Sequence, residues 1–225
     1  MNKEKTCLYE MKSSVINILP FVVAVIIFII TFLIIKVFNI NFKVTNIDFI
    51  VTMLLYIPYT IIHEILHSIG YVINGAQLKN ITFGVHMEKG ILCCSCKQTI
   101  NKKTVLWSLM YPFIFIGIIT YILGLIFNLP ILIILSALNI IGCSGDIVMF
   151  LNFWKLKNFK FFEYDNPLAF GLITNEDLEN KKLYGLKEIQ NEKIIQTTNK
   201  KVTISKTSII ILLVYYIILL CCAIL

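Results

Sequence analysis

The chain has 225 residues and a net charge of +7, with 58% hydrophobic and 15% charged residues. Soluble globular domains contain roughly 45–50% apolar and about 25% charged residues. A soluble fold of this composition would have too few polar side chains to cover its surface, so the counts exclude it and indicate an integral membrane protein. The positive charge would favour a nucleic-acid partner in a soluble protein, but in a membrane protein lysines set the topology. We therefore expect no nucleic-acid partner.

Five apolar stretches are long enough to cross a bilayer, whose hydrocarbon core of about 30 Å needs roughly 20 apolar residues per helix. In chain order they cover residues 15–38, 47–74, 105–127, 131–154 and 208–225. The tight turn Asn128-Leu129-Pro130 separates the third from the fourth. The sequence therefore predicts an all-α polytopic membrane protein with about five transmembrane helices.

Lysines predict the orientation of these helices. The N-terminal tail, the loop after the second stretch and the segment after the fourth are rich in lysine, whereas the loops on the other side and the C-terminus have few or none. Because lysine-rich loops stay in the cytoplasm, this pattern predicts a multi-pass protein of the cell membrane with its N-terminus in the cytoplasm and its C-terminus outside.

Two polar pieces fall on the predicted cytoplasmic side. Residues 80–104 read as a small β-hairpin, with strands around the turn Glu88-Lys89-Gly90. Residues 155–205 form a mixed polar segment. These boundaries predict a cytoplasmic tail (1–14), a four-helix membrane core that includes the hairpin (15–154), a cytoplasmic segment (155–205) and a C-terminal transmembrane helix (206–225).

The second stretch contains His63-Glu64-Ile65-Leu66-His67, which holds two of the three histidines of the chain. Residues i and i+4 share one helix face, so both imidazoles can bind one metal ion while Glu64 reaches a water molecule beside it. Zn²⁺ suits two imidazoles and one carboxylate. The bland alternative is a pair of helix histidines hydrogen-bonded within a bundle. Ionisable residues inside a membrane are expensive and usually functional, which favours the metal site.

The third ligand is expected at the same membrane depth. Apart from Glu64, Asp146 is the only acid well inside an apolar stretch. Counted from the predicted cytoplasmic helix ends, His67 and Asp146 lie about 10 and 12 Å deep. A buried acid paired with a lysine is the alternative. Asn139, two turns before Asp146, could orient a ligand or hold a substrate carbonyl, or make an ordinary interhelical hydrogen bond.

These motifs carry a resemblance. The segments HEILH, Tyr111-Pro112, GCSGDI, Tyr164-Asp165-Asn166-Pro167 and Gly171 resemble the bacterial "putative zincin peptidase" family, related in plan to the site-2 protease type of intramembrane metalloprotease. The resemblance implies a zinc-dependent membrane endopeptidase with His63, His67 and Asp146 as ligands and Glu64 as general base. The implied partners are a membrane protein or peptide substrate and the lipid bilayer. Asp165 reads as a turn residue that could also approach the site from the cytoplasm.

Two other functions use the same residues. The zinc centre could hydrolyse a lipid or a small amide. Alternatively, the site could have a purely structural role in a non-enzymatic membrane binding or immunity protein. The hairpin could add an unwound substrate segment as an extra strand, or simply pack on the headgroups. Its cysteines, Cys93, Cys94 and Cys96, could serve a metal or redox role or be incidental thiols.

Overall fold

A computed structural model describes residues 5–40, 42–86, 91–163, 169–176, 178 and 182–189. Its helices are α1 (Ser13–Asn17), α2 (Leu19–Val37), α3 (Asn46–Ile73), α4 (Lys102–Pro112), α5 (Thr120–Ile126), α6 (Pro130–Gly142) and α7 (Ser144–Lys155), with a 3₁₀ turn at Leu78–Asn80 and a π-helical stretch at Phe113–Ile119 between α4 and α5. Its strands are β1 (Lys5–Met11), β2 (Ile81–His86), β3 (Ile91–Cys96), β4 (Ile100–Asn101), β5 (Lys160–Glu163), β6 (Ala169–Thr174) and β7 (Leu186–Glu188).

Three helical segments of the described chain are long and apolar enough to cross a membrane: Ser13–Val37, Asn46–Ile73 and Lys102–Ile126. The pair α6 and α7 makes a fourth if its two bent halves form one span. These segments correspond to the first four predicted stretches. The predicted fifth helix, residues 206–225, lies outside the described residues.

Helix α3, which carries the HEILH motif, has a well-defined start. The Thr45 hydroxyl accepts a hydrogen bond from the Asp48 amide at 3.2 Å, and the Asp48 carboxylate accepts one from the Thr45 amide at 2.8 Å. This capping box satisfies two amides at the exposed helix start. The predicted boundary at residue 47 is therefore close to the observed one.

The fourth predicted span is a broken helix. Its halves α6 and α7 meet at Cys143 and are bent by 49°. The sequence Gly142-Cys143-Ser144-Gly145 at the break is poor in helix-forming residues. The break places Asp146 in the first turn of α7, so this acid lies at a helix start inside the apolar region.

The prediction of an all-α fold is wrong, because the described chain is a mixed α/β protein. A five-stranded antiparallel sheet has the strand order β4-β5-β6-β1-β7. The predicted N-terminal tail supplies β1, which lies between β6 and β7 in the sheet, and the segment after α7 supplies β5, β6 and β7. Strands β1 and β6 are more than 150 residues apart in sequence, so no local pattern reveals their pairing.

The five-stranded sheet packs on the ends of the long apolar helices through an aromatic core. The Phe153 side chain of α7 is fully buried, and its ring centroid lies 5.6 Å from that of Phe161 in β5 and 5.4 Å from that of Phe170 in β6. Burying aromatic rings removes a large apolar area from water. The sheet therefore belongs to the same folded body as the helices.

The predicted hairpin is present as a separate two-stranded sheet of β2 and β3. Its turn, residues 87–90, lies outside the described residues. Asn74 at the end of α3 accepts a hydrogen bond from the Thr104 hydroxyl in α4, so the hairpin connects two helix ends on one side of the helices. We call this the sheet side, because α7 also ends there against the five-stranded sheet.

Candidate metal centre

Helix α3 presents both histidines of HEILH to one point. The Nε2 atoms of His63 and His67 are 3.1 Å apart, as expected for imidazoles one turn apart on the same helix face. His67 is buried, and His63 is partly exposed to a cleft of about 340 Å³.

Asp146 completes a group of three. Its Oδ2 atom lies 3.6 Å from Nε2 of His63 and 3.6 Å from Nε2 of His67. Tetrahedral zinc with ligands about 2.0–2.1 Å away holds neighbouring ligand atoms about 3.3 Å apart. The three observed separations lie close to that value, so these side chains could hold one metal ion.

The outer nitrogens of the two imidazoles are held by hydrogen-bond acceptors. His67 Nδ1 lies 2.9 Å from the Ser108 carbonyl oxygen, which can only accept, so this nitrogen carries the proton. His63 Nδ1 lies 2.7 Å from Asn139 Oδ1. The Asn139 amide nitrogen donates to the Pro112 carbonyl at 3.1 Å, which turns its oxygen towards His63. Both histidines are therefore protonated on Nδ1 when neutral.

This protonation leaves a lone pair on each Nε2 atom. Two lone pairs facing each other at 3.1 Å, with a carboxylate oxygen 3.6 Å from both, repel unless a metal ion lies between them or one imidazole gains a second proton. Metal-bound histidines typically donate the other ring nitrogen to a carbonyl or amide oxygen. The donor set thus fits a metal ion, and two imidazoles with one carboxylate fit zinc.

Close approach of α3 and α4 makes the His67 contact possible. A Cβ atom on Gly70 would lie 2.6 Å from the Ser108 Cα atom, so only glycine fits at this crossing. The Ser108 hydroxyl also donates to the His67 carbonyl at 2.9 Å. Gly70 was not singled out from the sequence, although a glycine one turn after His67 is a signal that could have indicated this tight crossing.

Glu64 lies at the edge of the same cleft. Its Oε1 atom is 3.9 Å from His63 Nε2, and its carboxylate faces the backbone amide of Cys94 in β3. The hairpin strand β3 and the motif helix α3 therefore form opposite walls of the cleft, which also contains Leu92 and Cys93.

Comparison with known families identifies the central part of the chain. Residues 56–159 match the family model described as "Putative zincin peptidase". This segment is similar to that family. The matched range includes α3 from the motif onward, the hairpin, α4 to α7 and all three clustered side chains, and the resemblance noted from the motifs is confirmed. No curated protein and no solved structure matches the chain.

The match to the putative zincin peptidase family suggests a metallopeptidase and implies zinc. The structure brings His63, Glu64, His67 and Asp146 together, and it sets Asn139 behind His63. Their individual roles stay predictions. Asp165 lies outside the described residues.

The hairpin thiols are poor nucleophiles. Burial raises the pKa of Cys93 to about 11 and holds that of Cys94 above the usual thiol range. Because the thiolate is the reactive form, these residues remain thiols at neutral pH. Among the described residues, the cluster that could hold a metal contains no cysteine.

Glu163, at the end of β5, is a cleft residue that the sequence did not single out. Its Oε1 atom accepts a hydrogen bond from the Tyr71 hydroxyl at 2.8 Å, and its Oε2 atom accepts one from the Cys96 amide at 2.7 Å. The Glu163 carboxylate of β5 is thus hydrogen-bonded to both α3 and β3. Its partner in α3, Tyr71, lies four residues after His67. No motif marks it, because its partners come from distant parts of the chain.

We predict that the zincin peptidase site holds about one zinc ion per chain, through three protein ligands. His67→Ala and Asp146→Ala should each lose most of the metal, because two ligands hold zinc weakly. Glu64→Gln should keep it. Zinc measured by mass spectrometry on detergent-purified protein checks this, with circular dichroism to verify folding. Full zinc in folded Asp146→Ala would remove that residue from the ligand set.

A second prediction concerns pH and Glu163. Burial raises the pKa of Glu163 from the ordinary 4.5 to about 7, although the bonds from Tyr71 and Cys96 oppose it. The folded protein then binds this proton more tightly than the unfolded chain, so the contribution to stability is full below pH 4.5 and declines as the pH rises to about 7. Glu163→Gln, which is always neutral, should lack this decline.

The thermal unfolding midpoints of the wild type and of Glu163→Gln are measured in detergent between pH 4.5 and 8. The quantity compared is the difference between the two midpoints at each pH. Glu188→Gln on exposed β7 is the matched control and should follow the wild type. A constant difference between wild type and Glu163→Gln across this range would contradict the prediction.

Proposed function

We propose that the chain is an intramembrane zinc metalloendopeptidase that cuts peptide bonds of membrane-associated substrates near the cytoplasmic leaflet. The observation that carries the proposal is the pair of Nε2 lone pairs, 3.1 Å apart, with Asp146 3.6 Å from both and Glu64 at their side. The zincin peptidase match of residues 56–159 supports the same chemistry.

Zinc would be held by Nε2 of His63, Nε2 of His67 and the Asp146 carboxylate. When bound, it supplies Lewis-acid activation of water and of a substrate carbonyl oxygen. The hydrogen bonds from His63 to Asn139 and from His67 to the Ser108 carbonyl keep the imidazoles in the metal-binding tautomer.

Glu64 acts as the general base. Its carboxylate borders the cleft beside His63, where it can take a proton from the attacking water molecule and return it to the leaving amide nitrogen. General acid–base catalysis of this kind typically contributes about 10²–10⁴-fold in rate.

The proposed location follows from the helix ends. The C-terminal ends of α3 and α7 and the start of α4 meet on the sheet side, and the flanking segments are rich in lysine. The positive-inside rule assigns this side to the cytoplasm, with the C-terminus outside the cell membrane. The cleft lies between the apolar helices and the sheet, which favours substrates at the inner leaflet.

The substrate site that we propose is the cleft edge of β3. The Cys96 amide donates to Glu163, so it points away from β2. Amides of every second strand residue point the same way, so Cys94 and Leu92 share this edge. The Cys94 amide already faces the Glu64 carboxylate, so the Leu92 amide is the donor that we assign to an added strand. Among the described residues, β3 pairs only with β2. An extended peptide could add to this edge beside Glu64.

We predict that Leu92→Pro impairs cleavage, because it removes an amide donor at the cleft edge while β3 still pairs with β2. Val85→Pro is the matched control. Val85 lies opposite Leu92 in the ladder, and its amide points to the other edge of the hairpin. Michaelis constants on a peptide substrate should rise about tenfold for Leu92→Pro, the loss expected for one strand hydrogen bond, and stay unchanged for Val85→Pro. Equal effects would reject substrate addition at β3.

The central test of the proposed function uses Glu64→Gln, which we expect to keep zinc and lose cleavage by at least about 10²-fold. Membranes from cells that make the wild type or the variant are compared by mass spectrometry of new protein N-termini and, in parallel, of lipids. New termini found only with the wild type would support the peptidase. A change confined to lipids would overturn the peptidase proposal. Cleavage by Glu64→Gln at the level of the wild type would overturn it as well.

A further inference from the structure

A second cavity of about 660 Å³ lies between α4 and α7, away from the metal centre. Its apolar walls, which we call the α4–α7 groove, are formed by Leu106, Trp107 and Met110 of α4, by Ile114 of the π-helical stretch that follows it, and by Phe150 and Trp154 of α7. It shares no lining residue with the catalytic cleft. The volume lies within the roughly 300–1,000 Å³ typical of small-molecule sites.

Both tryptophans of the chain line this groove. Trp107 is 46% exposed and Trp154 is 65% exposed, and the Trp154 ring lies 5.6 Å from that of Phe150. Tryptophan is enriched where a membrane protein meets the headgroup region. The groove therefore opens towards the lipid at the membrane boundary.

One end of the groove is basic. Lys102 and Lys103 line it at the first turn of α4, which is the sheet-side end of a candidate membrane span. The Lys102 ammonium donates to the carbonyls of Trp154 and Leu156 at the end of α7. It is thus held by the helix terminus, whereas the exposed Lys103 side chain is available to a ligand.

The ligand must match an apolar groove with a cationic end at the membrane surface. An acyl chain fits beside Met110, Ile114 and Phe150, and a phosphate fits beside the Lys103 ammonium. Basic pockets between membrane helices on the cytoplasmic side bind anionic headgroups. We propose that the α4–α7 groove binds one anionic phospholipid, with an acyl chain between the helices and the phosphate against Lys103.

The tryptophans allow a direct test with the full chain. The protein is reconstituted into vesicles that mix phosphatidylglycerol and phosphatidylcholine, with bromine on the acyl chains of one lipid or the other. Bromine quenches the fluorescence of tryptophans that it contacts, so the two series give the ratio of binding constants at the groove. We expect phosphatidylglycerol to bind about five-fold more tightly, the preference expected for one lysine at an anionic surface.

Two variants sharpen the test. Lys103→Gln should reduce the preference to about one, whereas Lys79→Gln, an exposed lysine on the same side outside the groove, should keep it. Met110→Phe should fill the groove and lower quenching by both lipids. Equal quenching by the two lipids in the wild type, or a preference that survives Lys103→Gln, would overturn the proposal and leave only unspecific boundary lipid. Quenching by neither lipid would also overturn it and would favour a protein helix as the occupant.

Discussion

The structure depends on one electrostatic constraint, the opposition of two imidazole lone pairs. His63 and His67 lie one turn apart with their Nε2 atoms 3.1 Å from each other. In this buried site the arrangement is favourable when a metal ion lies between the two nitrogens or when one of them carries a proton that it donates to the other, because water does little to screen the repulsion there. The bonds to Asn139 and to the Ser108 carbonyl hold each ring against that repulsion. The surrounding helices therefore contact the Nδ1 atoms of the two histidines and so determine how the Nε2 atoms are oriented.

Two irregular features of the backbone bring the partners of these histidines into place. The break at Cys143 gives α7 a new start, so that Asp146 can approach the imidazoles from a helix bent by 49° relative to α6. Gly70 lets α4 come close enough for the Ser108 carbonyl to accept a hydrogen bond from His67 Nδ1. A straight fourth helix or a larger residue at 70 would lose one of these contacts. Irregular backbone at membrane depth is tolerated where it is buried in protein or lines a cavity.

The sequence revealed the parts of the protein that local patterns encode. The first four apolar stretches predicted the candidate spans to within a few residues, since a run of about 20 apolar residues is typical of a transmembrane helix. The spacing of His63 and His67 predicted their shared face, and the depth argument selected Asp146, which the structure places beside both. The sheet was missed because β1 and β6 are short and far apart in sequence. Ser108 and Glu163 were missed because a backbone carbonyl and a lone glutamate carry no motif.

Glu163 shows how the missed sheet bears on the membrane site. Its carboxylate holds Tyr71 of α3 and the Cys96 amide of β3 at once. The distance between the motif helix and the hairpin strand, and with it the width of the cleft beside Glu64, is thus fixed by a residue of the sheet. Other residues of α4 and α7, among them Trp107 and Trp154, line the groove. The same two helices carry Ser108 and Asp146 and also line the groove, so a ligand bound in the groove would pack against the elements that position the candidate metal centre.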